Sequence, residues 1–188
     1  MSAARTLTSG SMFSGIGGID LGFHRAGIET KWFCECDRYA CDVLRKHWPG
    51  VPIYPDVTKL RGCDVEYVDI IHGGFPCQDI SPAGKRKGLE GSRSSLYREL
   101  WRVVCEVGPD YVVMENSPGL LDLGADHVLA QMADGGYDAE WQVLSAASVG
   151  SCQRRDRLFI VGIRRGGGGF SCSRPSSVWT PDAAGGGA

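Results

Sequence analysis

The sequence predicts an α/β fold, an open and mostly parallel sheet with helices on both faces. Short apolar runs typical of buried strands alternate with stretches of helical periodicity along most of the chain. A hydrophobic content of 43% over 188 residues suits one globular core. We therefore expect one domain over residues 1–164 and a glycine-rich tail over residues 165–188, which we expect to be disordered.

The first half of the chain has three predicted strands separated by two helices. "TLTSGSMF" has poor strand propensity, but it ends in the glycine-rich "FSGIGG". Ile19, Phe23 and Ala26 then follow helical spacing, and Gly27 can end that helix. "IETKWFCE" predicts the second strand, Asp37 can cap the helix after it, and "VPIYPDVT" is a short extended piece.

The second half begins with "VDIIHGG", whose near-continuous apolar sequence predicts a strand buried on both faces. A polar loop, "PAGKRKGLEGSRS", separates it from the clearest helix of the chain. "YVVMEN" predicts the next strand, a helix follows over Ala125–Met132, and "EWQVLSA" and "RLFIVGI" predict two final strands. The clearest helix is marked by apolar residues at i, i+4, i+7, i+8 and i+11: Leu96, Leu100, Val103, Val104 and Val107.

Composition excludes several classes of protein. The chain has no apolar run of the roughly 20 residues that span a membrane and no signal peptide at its start, so we expect a cytoplasmic protein of prokaryotic or phage type. None of the eight cysteines forms a CxxC pair, which argues against a metal site. Thiols stay reduced in that compartment, so a special cysteine is more plausibly catalytic than disulfide-bonded. The net charge of -2 hides a basic C-terminal region of +4 over residues 150–188, which suits a phosphate-bearing partner or a solvated surface equally well.

Chemistry-bearing residues follow three of the predicted strands. Ligands of such sheets bind outside the carboxyl ends of the strands. The glycines after Phe13, Cys77 after Phe75-Pro76, and Glu115 after "YVVM" all lie at such ends. Each has a structural alternative, as a turn, a small buried side chain or a helix cap, but their common placement favours a binding site.

The glycine loop does not fit the dinucleotide fingerprint. Gly15 and Gly17 match GxGxxG, but Asp20 stands where the third glycine would be. Glu35, at the end of the second strand, can accept hydrogen bonds from ribose hydroxyls. A nucleoside ligand without a pyrophosphate, such as S-adenosylmethionine, fits this pattern better than NAD.

A dense arginine cluster precedes the last strand. Arg154, Arg155 and Arg157 occupy "GSCQRRDRLFIVG", and Arg155 and Arg157 point the same way in an extended stretch. Guanidinium groups suit carbonyl oxygens and phosphates. The alternative is a solvated surface turn.

Together these segments resemble the cytosine carbon-5 DNA methyltransferases over roughly residues 7–164. "FSGIGG" is similar to the family's cofactor loop, "GGFPCQDIS" to its nucleophile motif, "MENSPGLL" to its Glu-Asn-Val motif and "QRRDRLFIVG" to its QxRxR motif. The resemblance implies a Rossmann-like S-adenosylmethionine-dependent methyltransferase fold.

The resemblance also implies covalent catalysis on a cytosine flipped out of double-stranded DNA. Cys77 would add to carbon 6, Glu115 would bind N3 and the exocyclic amine, and Arg157, beside Arg155, would stabilise the base carbonyl and orient Cys77. The methyl group would come from S-adenosylmethionine, and loss of the carbon-5 proton would expel Cys77. The cofactor residues would be Phe13, Gly15, Ile16, Gly17, Gly18, Glu35, Cys36, Asp56, Val57, Gly74, Pro76 and Leu96. The DNA-contacting residues would be Gln78, Ser81, Lys85, Arg86, Lys87 and Arg93.

The sequence departs from the family pattern at three places. Ser117 replaces the valine of Glu-Asn-Val, and Cys36 replaces a large apolar residue against the adenine. The family's target-recognition domain, and two later motifs that complete the cofactor pocket and the sheet, are not found in residues 165–188. One interpretation is that the chain works with a second polypeptide that carries them; an inactive cofactor- or DNA-binding remnant and a transfer-RNA cytosine methyltransferase are the alternatives. Restriction-modification, phage protection and regulation all stay open as its role.

Overall fold

The computed structural model describes residues 5–76 and 94–166 of the chain, with side chains in the second range from residue 96. The remaining residues, including most of the predicted tail, lie outside this description. Its strands are β1 (Thr8–Met12), β2 (Glu29–Cys34), β3 (Ile53–Tyr54), β4 (Ile70–Gly73), β5 (Tyr111–Asn116), β6 (Tyr137–Ser145) and β7 (Asp156–Arg164). Its helices are α1 (Gly18–Arg25), α2 (Arg38–His47), α3 (Ser94–Val107), α4 (Leu120–Leu123) and α5 (Ala125–Asp134).

The seven strands form one sheet in the order β3-β2-β1-β4-β5-β7-β6. The pairs from β3 to β5 are parallel, and β7 is antiparallel to both β5 and β6. The predicted α/β fold with a mostly parallel sheet is therefore confirmed. Among the described residues the strands at the two edges of this sheet are β3 and β6, so a strand supplied from elsewhere would pair beside one of them.

Two boundaries of the first two helices lie where the sequence predicts. Gly27 follows α1 with a φ of +80°, a left-handed conformation that glycine adopts without strain. Asp37 caps α2, its carboxylate accepting a hydrogen bond from the Ala40 N–H at 2.8 Å. The short helix α4 was not predicted, because four residues are too few to show a period.

The core lies where α3 and α5 pack against the central strands. Leu100, Val103 and Val104 of α3 are at most 1% exposed, as the i, i+4 spacing predicts, and they belong to the same cluster as Ile71 and Met114. Helix α5 adds Val128 and Met132, both fully buried. This core fixes the strands whose carboxyl ends carry the candidate site.

Beneath α1 the sheet also holds a buried polar cluster. The Asp20 carboxylate accepts hydrogen bonds from the hydroxyls of Ser11 on β1 (3.0 Å) and Thr30 on β2 (3.1 Å), and its Oδ1 lies 3.1 Å from Nε2 of His72 on β4. Asp20 and His72 are each 1% exposed. One carboxylate therefore attaches the helix after the glycine loop to three neighbouring strands.

Candidate active site

The predicted site residues collect at one edge of the sheet because β1 to β5 are parallel. Their carboxyl ends lie side by side, and each is followed by predicted site residues. Strand β7 runs the opposite way, so its first residues, next to Arg155 and including Arg157, reach the same edge. The fold thus brings the three groups of the sequence analysis and the arginine cluster to one side of the molecule.

The glycine loop after β1 is tightly wound. Phe13 is the one non-glycine residue with positive φ (52°) in the described part of the chain, and Gly15 and Gly17 also have positive φ. A Cβ on Gly17 would lie 2.6 Å from the Trp48 ring, so the loop needs glycine there for space as well as for backbone conformation. Such strain in a short loop is typical of functional sites.

Glu35, after β2, faces this loop. Its Oε2 accepts a hydrogen bond from the Gly15 N–H at 2.7 Å, and its Oε1 accepts one from the Asp37 N–H at 2.8 Å. Two donated N–H groups orient the carboxylate beside the loop while its oxygens keep further acceptor capacity. This arrangement fits the ribose hydroxyls of a nucleoside cofactor.

The two cysteines that flank Glu35 have different environments. Cys34 ends β2 and is buried, and burial, assisted by the nearby Glu35 charge, raises the pKa of its thiol to about 12. Cys36 is exposed, where the sequence analysis expects a contact with the adenine. Only Cys36 of this pair is open to a ligand.

The turn after β3 carries Asp56 and Val57. Asp56 is partly exposed and its Oδ1 accepts hydrogen bonds from the N–H and hydroxyl of Thr58. The Val57 side chain is buried in the core. Asp56 follows β3 and Glu35 follows β2, and these strands are adjacent and parallel, so the two carboxylates lie on the same side of the site.

Glu115 and Arg157 form an ion pair between β5 and β7. The Arg157 Nε lies 2.7 Å from the Glu115 Oε1, and Arg157 also donates to the Asp156 carbonyl at 2.8 Å. A Cβ on Gly74 would lie 2.7 Å from the Glu115 Oε2, so the glycine after β4 leaves room for the carboxylate. The Asn116 side chain donates to the Phe75 carbonyl at 3.2 Å, which ties the end of β5 to the segment that leads toward Cys77.

One cavity of about 620 Å³ is lined both by predicted cofactor residues and by predicted catalytic residues. Its lining includes Phe13, Gly18 and Gly74 from the predicted cofactor residues, and Glu115, Arg155 and Arg157 from the predicted catalytic residues. A cavity of this size suits a nucleoside-sized ligand or a base. The arrangement holds a carboxylate and two guanidinium groups across an apolar space from a glycine loop.

Other predicted residues lie elsewhere. Glu35, Cys36, Asp56 and Val57 are not in the lining of this cavity; they follow β2 and β3, on the far side of the glycine loop. Ile16 is 60% exposed and lines a second cavity of about 340 Å³ beside α1 and α2. Pro76 is half-buried, and Leu96 packs against the core at the start of α3. The predicted residues outside the described part of the chain are Cys77, Gln78, Ser81, Lys85, Arg86, Lys87 and Arg93.

The sequence analysis missed part of the cavity lining. Phe159 could have been found, because it lies two residues after Arg157 on β7 and so shares its face. Ser14 and Ile19 adjoin predicted residues of the glycine loop and could also have been found. The others come from the end of β6 and the segment after it, whose place beside the site depends on strand pairing: Leu144, Ser145, Ala146 and Val149.

Two negative findings concern the described residues alone. Within residues 5–76 and 94–166 no three His, Cys, Asp or Glu side chains are grouped so as to hold a metal ion. No helix in that part of the chain is long and apolar enough to cross a membrane.

Known proteins share both the sequence and the fold. The chain is 40% identical over 160 residues to the type II methyltransferase M.NgoFVII of Neisseria gonorrhoeae, covering 82% of this chain and 43% of that protein. It is 38% identical over 177 residues to the type II methyltransferase M.AquIA of Picosynechococcus sp., covering 83% of this chain and 71% of that protein. The chain thus spans about two fifths of M.NgoFVII but most of M.AquIA.

A solved structure agrees with the architecture. A putative DNA modification methyltransferase encoded within a prophage of E. coli superposes with a TM-score of 0.71 at 28% identity, covering 85% of this chain and 47% of that one. This similarity confirms the fold of S-adenosylmethionine-dependent methyltransferases. The family model of the C-5 cytosine-specific DNA methylases matches residues 7–173 of the 188 in the chain. The chain therefore belongs to the C-5 cytosine-specific DNA methylase family.

Proposed function

We propose that this chain is the cofactor-binding and catalytic part of a DNA (cytosine-5-)-methyltransferase. The observation that carries the proposal is the cavity in which the glycine loop and the Glu115–Arg157 pair face the same space. The family and its relatives supply the chemistry; the placement of these residues supports its application to this chain.

The methyl donor would be S-adenosylmethionine, which supplies an electrophilic methyl group when bound. Phe13, Gly15, Gly17 and Gly18 would surround it at the end of β1, and Glu35 would accept hydrogen bonds from its ribose. Further contacts would come from Ile16, Cys36, Asp56, Val57, Gly74, Pro76 and Leu96. The ordered Glu35 carboxylate and the open loop beside it fit this ligand.

Base recognition would rest on the ion pair. Glu115 would bind N3 and the exocyclic amine of a flipped cytosine, and Arg157 would donate to the base carbonyl with Arg155 beside it. Holding Glu115 against Arg157 fixes both side chains before substrate arrives, which lowers the cost of organising the site. Cys77, which follows Pro76 directly, would be the nucleophile, with Gln78, Ser81, Lys85, Arg86, Lys87 and Arg93 contacting DNA.

A second polypeptide that reads the DNA sequence is part of the proposal. The relative M.NgoFVII extends far beyond the matched region, whereas M.AquIA matches over 71% of its length. A much shorter type II methyltransferase chain therefore exists among the relatives, which supports a separate chain for the missing motifs.

The proposal is tested by transfer of a labelled methyl group to DNA, with and without such a partner. Glu115→Gln should lower the transfer rate by about 100-fold or more and leave the Kd for S-adenosylhomocysteine unchanged. Glu35→Ala should instead raise that Kd. Glu29→Ala is the matched control. Glu29 begins β2, at the end of the strand away from the site, and among the described residues its ion pair is with Lys31 on the surface.

Two results would contradict it. If the wild-type chain binds S-adenosylhomocysteine but transfers no methyl group with any partner, the inactive remnant is correct. If Glu35→Ala binds as well as the wild type, the ribose contact is misplaced. Comparison of DNA with transfer RNA as acceptor decides the remaining alternative.

A further inference from the structure

The turn Asp56–Leu60 has little regular structure to hold it. It follows β3, which has two residues, and it is closed by its own hydrogen bonds from the N–H groups of Lys59 and Leu60 to the Asp56 carbonyl. Its Val57 and Leu60 side chains are 7% and 3% exposed. Its position must therefore come from neighbouring elements.

Helix α3 contacts this turn through Arg102. The Arg102 Nη2 donates to the Val57 carbonyl at 2.9 Å. The same guanidinium donates through Nε to Glu99 and through Nη1 to Glu106, each at 2.8 Å. Two carboxylates one turn away on either side thus orient the guanidinium, and its Nη2, which also lies 2.7 Å from the Glu99 Oε2, reaches the turn.

Glu106 provides a second attachment. Its Oε2 accepts a hydrogen bond from the Gly62 N–H at 2.6 Å, and a Cβ on Gly62 would lie 2.6 Å from the Glu106 Cβ. Helix α3 therefore holds the chain on both sides of Leu60, at Val57 and at Gly62. Arg102 is linked to both contacts because it also pairs with Glu106.

We propose that Arg102 is a positioning residue that sets the place of Asp56 and Val57 in the cofactor site. This inference rests on the proposed function, which assigns both residues to S-adenosylmethionine. Arg102 is not among the residues that line the cavity, and its contact with the cofactor turn is the hydrogen bond to the Val57 backbone. Loss of its contact should weaken cofactor binding without slowing the chemical step once cofactor is saturating.

Helix α3 also lies next to the predicted DNA-contacting segment in the sequence. Helix α3 begins at Ser94, directly after the predicted DNA-contacting segment, and carries Leu96, another predicted cofactor residue. The same rigid element therefore connects the predicted DNA-contacting segment in sequence with the cofactor turn in space.

The test compares Arg102→Met with Arg98→Met, which removes an exposed arginine from the same helix. We expect Arg102→Met to raise the Kd for S-adenosylhomocysteine about 5–10-fold and to leave the methyl-transfer rate at saturating cofactor within about 2-fold. Hydrogen exchange of the amides in residues 56–62 should speed up, since the turn loses its tie to α3. Arg102→Lys should fall between, because an ammonium group can reach the carbonyl but not all three partners. Arg98→Met should change none of these quantities.

Each part of the proposal has its own contradicting result. Unchanged hydrogen exchange in Arg102→Met would show that Arg102 does not hold the turn. Faster exchange with an unchanged Kd would show that the position of the turn does not affect cofactor binding. A fall in the methyl-transfer rate at saturating cofactor as large as the rise in Kd would show that Arg102 has only a general structural role. If the wild type itself fails to bind S-adenosylhomocysteine, the proposed function and the cofactor role both fall, while the exchange data still decide whether Arg102 holds the turn.

Discussion

Replacement of Asp20 tests the buried cluster that attaches α1 to the sheet. Asp20 accepts hydrogen bonds from Ser11 and Thr30 and lies within hydrogen-bonding distance of His72, and all four residues are at most 5% exposed. In Asp20→Ala, Thr30 can turn its hydroxyl to Ser9, whose Oγ lies 3.3 Å away. Ser11 and His72 keep no such alternative within the cluster.

The expected magnitude follows from those two stranded donors. A buried donor left without a partner costs about 1–3 kcal/mol, so Asp20→Ala should lose about 2–6 kcal/mol of unfolding free energy. Asp20→Asn should lose only about 1 kcal/mol, because its amide oxygen can replace Oδ1 and its amide group can donate to the Ser11 hydroxyl. Ser9→Ala is the control that weakens the cluster without releasing α1.

Urea unfolding followed by tryptophan fluorescence measures these differences, since Trp32 is fully buried in the apolar core of the same sheet. If Asp20→Ala does not fold, Asp20→Asn still tests the prediction. Its free energy of unfolding should be lower than that of the wild type and close to that of Ser9→Ala. A loss below about 0.5 kcal/mol for Asp20→Ala would refute it. A loss for Asp20→Asn of several kcal/mol would show that the charge, and not the set of hydrogen bonds, stabilises the cluster.

Three further predictions concern the site and the residues beside it. Gly17→Ala should lower the free energy of unfolding by about 2 kcal/mol or more and weaken binding of S-adenosylhomocysteine, because φ is +83° and Trp48 occupies the Cβ position. Gly22→Ala, in open space on α1, should be neutral or stabilising, and equal thermal unfolding of the two variants would contradict this. N-ethylmaleimide should modify the exposed thiols of Cys36 and Cys152 in the native protein but not the buried thiol of Cys34. S-adenosylhomocysteine should protect Cys36 but not Cys152, and mass spectrometry of the labelled peptides shows whether the protection is selective. Hydrogen bonds from Arg102, then from the Gly62 N–H, lower the pKa of Glu106 below its usual value of 4.5. The ionised carboxylate therefore stabilises the fold above pH 4.5, and this contribution is lost as the pH falls through the lowered pKa. Glu106→Gln should flatten the acid limb of a curve of Tm against pH, and an unchanged limb would contradict the assignment.

The helices and the ends of most strands could be predicted because their causes are local. Asp37 caps α2 through its own side chain, and the spacing of Leu100, Val103 and Val104 alone defines the buried face of α3. The parallel order of the first five strands follows from their alternation with helices. Once that order is given, the residues after each strand must share one edge.

Strand β1 shows where such reasoning stops. "TSGSM" has poor strand propensity, yet Ser9, Gly10 and Ser11 suit its place at the centre of the sheet. Ser9 and Ser11 are buried because Thr30 and Asp20 accept or share their hydrogen bonds, and Gly10 leaves room for the Trp32 ring, which would lie 2.1 Å from a Cβ. These causes are partners distant in sequence, so propensity cannot reveal them.

Asp20 and the cavity lining have the same explanation. In the sequence Asp20 only breaks a glycine fingerprint, whereas in the fold it is the acceptor of a buried cluster. Leu144 and Ser145 reach the cavity because β6 pairs with the antiparallel strand β7, a pairing that no local pattern specifies.

The proposed function requires that this chain carries the residues for the covalent chemistry of a cytosine methyltransferase. The most direct measurement mixes the chain, with and without the proposed second polypeptide, with S-adenosylmethionine and DNA containing 5-fluorocytosine, which traps the covalent intermediate. We expect a covalent protein–DNA adduct that requires cofactor and disappears in Cys77→Ala, while that variant keeps the wild-type Kd for S-adenosylhomocysteine. An adduct that persists in Cys77→Ala, or no adduct under any pairing despite intact cofactor binding, would contradict it.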